Sequence, residues 1–202
     1  MNRSKSIAAV AVVIATTLAL SACGTPPWEQ PGALPGNTPT PTATRQITTV
    51  INELATGSTQ HELTAGNITL TVDYYSDLTM DQWTADANKP LSFTMTADLA
   101  NDEGQKVYLS QVTLVAAVTG PDGPLESPEA SMDRSTVNPG YLVKAPYSYS
   151  QTFILPPIDP AATSVTLSIK YELLLQTTPT SAEFAKQTAA DTLTIAIAQP
   201  AQ

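Results

Sequence analysis

Apolar and polar residues alternate with a period of two over several long stretches of the chain. Ile68, Leu70, Val72 and Tyr74 are separated by Thr69, Thr71 and Asp73, and Leu91, Phe93, Met95, Ala97 and Leu99 by Ser92, Thr94, Thr96 and Asp98. Val165, Leu167, Ile169, Tyr171, Leu173 and Leu175 repeat the pattern, and Leu193, Ile195 and Ile197 close the chain with it. Successive side chains of a strand point to opposite faces, so each stretch predicts a strand with one buried face. The threonines at outward positions suit a half-exposed pleated surface.

Between Lys106 and Thr119 the parity of the apolar positions changes, from Val107 and Leu109 to Val112, Leu114, Ala116 and Val118. A one-residue slip would turn a whole face outward, so the pattern predicts a bulge or bend near Ser110 and Gln111. Tyr147 to Leu155 reads as a further strand, stopped by Pro156 and Pro157. Helix is confined to a turn or two at Ile47 to Leu54 and a short helix at Ser181 to Lys186, where Thr180 and Glu183 have capping-box spacing. Six or more strands with little helix predict a mainly β protein, an antiparallel immunoglobulin-like β-sandwich, with a partly closed barrel as the alternative. A single cysteine cannot supply the Cys, Trp, Cys hallmark of true immunoglobulin domains, so that expectation rests on strand count.

The first residues follow a different rule. Arg3 and Lys5 precede an uncharged run from Ile7 to Leu20, which has the form of an export signal and is short for a membrane span of about 20 residues. The run ends in Leu20-Ser21-Ala22-Cys23, which resembles the bacterial lipoprotein signal: an aliphatic residue, two small residues and an invariant cysteine. The resemblance implies a diacylglycerol on the Cys23 thiol, cleavage before Cys23, and a protein held by lipid on the extracytoplasmic face of the cell membrane. The alternative is a free thiol behind an ordinary secretory signal. Cys23 is the only cysteine, so no intramolecular disulfide can form, and acylation accounts for the leftover thiol of an exported chain.

From Gly24 to Thr44 the composition shifts to Pro, Thr and Gly, which cannot build a core and predicts an extended, disordered tether. The expected organisation is a signal peptide over residues 1–22, a Pro/Thr-rich tether over 23–45, and one β-sandwich domain over 46–202. At roughly 3 Å per residue the tether could hold that domain tens of ångströms from the bilayer. Tether and signal together have the style of actinobacterial envelope lipoproteins.

Loss of residues 1–22 leaves 7 basic and 18 acidic groups, a net charge of −11. Such a chain repels phosphate backbones and carries no basic stripe, so nucleic acid is not an expected partner. With one histidine and one cysteine, no zinc or copper site can assemble, and no metal is expected. Asp73, Asp77 and Asp81, and the turn Asn101-Asp102-Glu103-Gly104, lack the alternating spacing of a calcium loop. Nucleotide-binding glycine motifs are absent, so no cofactor is expected. His61 has no nucleophile motif beside it and reads as a solvent-facing or capping residue.

Gly120 to Pro146 is long for a connection and contains Pro121, Pro124, Pro128, Pro139 and Pro146. It reads either as an ill-ordered loop whose tyrosines pack into the sandwich, or as a binding surface built from Met132, Arg134, Tyr141, Tyr147 and Tyr149. The functional expectation is a non-enzymatic envelope lipoprotein that binds or supports a surface protein or glycan. The alternative is a hydrolase or transferase acting on wall polymer through paired carboxylates.

Overall fold

The computed structural model describes residues 50–199. Cys23 and the stretches expected to be a signal peptide and a tether lie outside the described residues. The described part is mainly β, with a single 3₁₀ turn at Met80–Gln82 and no α-helix.

Ten strands make two antiparallel sheets. The first contains β1 (Ser58–Ala65), β2 (Ile68–Tyr75), β3 (Lys89–Leu99) and β8 (Tyr149–Leu155), in that spatial order. The second runs β10 (Phe184–Ala196), β9 (Ser164–Gln176), β4 (Val107–Gly120), and β4's far edge is paired in turn by three short strands, β5 (Gly123–Pro124), β6 (Ser131–Arg134) and β7 (Tyr141–Leu142).

The period-two residues do what their pattern predicts. Ile68, Leu70, Val72 and Tyr74 of β2 meet Leu91, Phe93, Met95 and Ala97 of β3 and Val165, Leu167, Ile169, Tyr171 and Leu173 of β9 in one buried cluster. Phe93 lies at its centre, edge-on to Tyr171 at 5.7 Å and beside Tyr74, Tyr149 and Phe153 at 6.0–6.3 Å. The Tyr74 and Tyr171 hydroxyls meet at 2.9 Å, tying β2 of one sheet to β9 of the other.

The parity change in β4 is a bulge. The pairing with β9 slips between Leu109 and Gln111, leaving Ser110 as the extra residue. Its hydroxyl donates to the Glu172 carbonyl at 2.9 Å, and its own carbonyl accepts from the Ser135 amide at 2.9 Å.

Three expectations are corrected. The helix at Ser181 to Lys186 does not form: a turn at Thr178 to Ser181 leads directly into β10, whose Phe184 pairs with Gln176. There the Gln176 amide donates to the Ser181 carbonyl at 2.7 Å and Glu183 N to the Ser181 hydroxyl at 2.8 Å, which satisfies the hairpin and leaves nothing for a helix to cap. His61 is neither solvent-facing nor a cap: it stands within β1, opposite Val72, with its side chain 22% exposed and set between Asp191 and Glu53. Gly120–Pro146 is not a free loop, because it is laid along β4 as β5, β6 and β7. The expected turn at Ile47 to Leu54 is met in part by a turn over Asn52 to Gly57, and residues 47–49 lie outside the described residues.

Candidate functional site

The Ser110 bulge and the segment after β6 together shape the outer face of the second sheet. Register places Gln111 of β4 between Arg134 of β6 and Glu172 of β9, with Thr188 of β10 beyond Glu172. All four point away from the core, because Val112, Asp133 and Tyr171 occupy the alternate positions. The Arg134 guanidinium donates to Gln111 Oε1 at 2.7 Å, and Gln111 Nε2 donates to the Thr113 hydroxyl at 3.0 Å. Lys186 of β10 donates to Glu172 Oε2 at 2.6 Å, and Lys170 Nζ lies 2.9 Å from Glu172 Oε1. These two ammonium groups, Lys186 first, hold the Glu172 carboxyl below the usual carboxylate range.

Residues 135–139 rise over this row as a lip. The lip is pinned by Ser135 N on the Ser110 carbonyl, by Ser135 Oγ on the Val137 carbonyl at 2.9 Å, and by the Thr136 amide on the Tyr141 hydroxyl at 3.4 Å. Gly140 makes the close approach possible: a Cβ there would fall 2.6 Å from the Leu109 carbonyl oxygen. Lip and sheet enclose a groove of about 470 Å³, lined by Ser110, Gln111, Arg134, Ser135, Thr136, Val137, Asn138, Pro139, Glu172 and Lys186.

The five residues singled out from the sequence separate into three places. Arg134 is in the groove. Met132, 55% exposed, lies on the same outer face opposite Thr113. Tyr141 and Tyr149 instead form a seam between the sheets, their rings stacked at 5.2 Å and 19°. The Tyr149 hydroxyl donates to Asp133, and burial, reinforced by that carboxylate, pushes its phenol well above the ordinary tyrosine range. Tyr147 is 57% exposed and is absent from the groove lining. Gln111, Glu172 and Lys186 complete the groove but carry no sequence signal for it, since they come from three strands that only the register unites.

A second depression, of about 670 Å³, lies where β8 leaves the sheet, between Glu126–Ser131 and Ile154–Asp159. Its charged side chains are Glu126, Glu129 and Asp159, and Ile154 is exposed beside them, so its sign is opposite to that of the groove's cationic walls.

Two further polar clusters are structural in their geometry. His61 Nδ1 lies 2.8 Å from Asp191 Oδ2, which also accepts from Tyr74 at 2.7 Å, and Nε2 faces Glu53 Oε1 at 3.5 Å. Both imidazole nitrogens therefore face carboxylates and neither faces a hydroxyl nucleophile. Glu53 in turn accepts from the Thr194 amide and donates its own amide to the Thr194 carbonyl at 3.0 Å, which clips the segment before β1 onto β10. Lys89, fully buried, aims its ammonium at the carbonyls of Thr84, Ala85, Ala87 and Pro156 at 2.7–3.3 Å. Burial lowers its pKa, and the carbonyl cage takes the place of a counter-ion.

The acidic turn at Asn101 to Gly104 is accounted for by turn chemistry: Asp102 accepts from Gly104 N at 2.8 Å and from Lys144 at 2.5 Å. Among the described residues no group of three His, Cys, Asp or Glu side chains converges as a metal site. No protein-family model matches the chain, and no curated protein matches it.

Proposed function

We propose that the protein is a bacterial lipoprotein, anchored to the extracytoplasmic face of the cell membrane by lipid on Cys23, whose β domain binds another envelope component. The lipobox Leu20-Ser21-Ala22-Cys23 and the charged, apolar stretch before it support the anchor. The Pro/Thr tether supports presentation of the domain at a distance from the bilayer.

We read the two sheets as an immunoglobulin-like sandwich. What supports this is strand order: β2-β3-β8 and β10-β9-β4 have the A-B-E and G-F-C neighbours of that architecture, with β1 as an added edge strand. The binding role rests on one observation, the groove that the strap from β5 to β7 builds on an otherwise solvated sheet face. Polar groups from four elements converge there, and its lip spends several hydrogen bonds on holding its shape.

The anchor is tested by replacing Cys23 with Ala and following the protein by fractionation and metabolic labelling with a palmitate analogue. Wild type is expected in the membrane fraction and labelled, the variant unlabelled and released. Equal labelling of the two proteins overturns the anchor.

A further inference from the structure

The groove's charge stands apart from that of the domain around it. Residues 50–199 contain 17 acidic and 6 basic side chains. Lys89 is buried in its carbonyl cage, Lys144 is paired with Asp102, and Lys106 lies just before β4. The other three, Arg134, Lys170 and Lys186, share the outer face of the second sheet, where Glu172 is the one acidic side chain on the strands. Packing does not require this placement, because outward positions on a solvated face are free to vary.

The cations are also unequal. Lys170 and Lys186 share Glu172, whereas Arg134 gives one N–H to Gln111 Oε1 and keeps the rest of its planar fork for another partner. A fork of that shape matches a carboxylate or phosphate in two parallel hydrogen bonds. Arg134 on β6 and Lys186 on β10 flank β4 and β9, so their backbones stand about 14 Å apart at normal strand spacing, with the Lys186 ammonium reaching in to Glu172 on β9. That width suits a chain rather than a single small ion. Between them the lining is the Glu172 carboxylate, which Lys170 and Lys186 cover, and otherwise hydroxyl and amide, from Ser110, Gln111, Ser135, Thr136 and Asn138, the groups that hydrogen-bond sugar hydroxyls.

We infer that the groove holds an oxyanion, carboxylate or phosphate, carried on a hydroxyl-rich chain, with Arg134 as its principal anchor, so that the ligand of this domain is an acidic glycan. The inference rests on the reading of this face as a binding surface and adds the chemical class of the ligand.

The test is a binding titration of the full-length protein in detergent with four polymers: polygalacturonate, poly(glycerol phosphate), neutral dextran and polyglutamate. Wild type is expected to bind one or both of the first two, with the affinity falling as salt rises from about 50 to about 200 mM; which of them binds identifies carboxylate or phosphate as the anion. Arg134→Gln is expected to weaken binding about tenfold or more. Glu172→Gln, which frees Lys186 and Lys170, is expected to strengthen it several-fold, a gain that a fold defect cannot produce. Unchanged affinity in both variants, or no binding by either acidic polymer, overturns the inference. Dextran binding as tightly as polygalacturonate also overturns it while leaving a neutral-glycan binding module in place, and preferential binding of polyglutamate overturns it in favour of an acidic protein partner. A native partner that is recovered from membranes and is indifferent to Arg134→Gln removes the anionic ligand alone; the absence of any partner removes the binding reading itself.

Discussion

At the scale of single residues, the buried polar groups are those with the least freedom to change. Tyr74, Tyr149 and Tyr171 all have phenols raised above the ordinary tyrosine value, with burial the leading cause in each case. The unfolded chain gives up these protons near pH 10, and the folded chain retains them to higher pH. Their contribution to stability is therefore complete below about pH 10 and declines above it, by up to about 1.4 kcal/mol per pH unit for a fully buried phenol. Denaturant unfolding measured on either side of about pH 10 is expected to show that decline, and Tyr74→Phe should flatten it. An unchanged slope in the variant would contradict the assignment. Lys89 makes a second case. Lys89→Met leaves four carbonyls without their shared donor and is expected to cost about 3 kcal/mol, read as a lower unfolding midpoint with an unchanged denaturant slope.

At the scale of elements, the lip depends on how closely its backbone can approach the Ser110 bulge. Gly140→Ala places a methyl group against the Leu109 carbonyl, and the expected cost is about 1–3 kcal/mol in thermal or denaturant unfolding. A neutral result would mean that the lip shifts without consequence and that its shape is not fixed. This is also the scale at which sequence and structure diverge. The long strands were legible because Ile68 to Tyr74, Leu91 to Leu99 and Val165 to Leu175 alternate without interruption, and the bulge was legible because the parity of β4 changes across it. β1 was hidden because its inward positions begin with Thr59 and His61, polar residues that give no apolar alternation. The hairpin at Thr178 to Glu183 imitated a helix start because Thr180 and Glu183 have that spacing, although the pairing of Phe184 with Gln176 decides the conformation. The strap over β5 to β7 hid its strands because each is four residues or shorter, too short for a period to show.

At the scale of the whole molecule, the two sheets are joined along both sides by polar or aromatic seams. One side carries Glu53, His61, Asp191 and Tyr74, and the other carries Asp133, Tyr141 and Tyr149. The seams leave the outer face of the second sheet without a structural task, and that is where the groove lies. Of the groove's residues, sequence alone pointed to Arg134; Glu172 and Lys186 are 38 and 52 positions further along the chain, and no local pattern links them to it. The measurement that bears most directly on the proposal of an anchored binding domain is a crosslinked pull-down from native membranes, comparing wild type with Arg134→Glu, a substitution that reverses the groove's principal charge on an exposed strand. Wild type is expected to bring down an envelope component that the variant loses while remaining in the membrane fraction. Recovery of the same components with both proteins, or of none with wild type, would contradict the assignment of the groove as the site of binding.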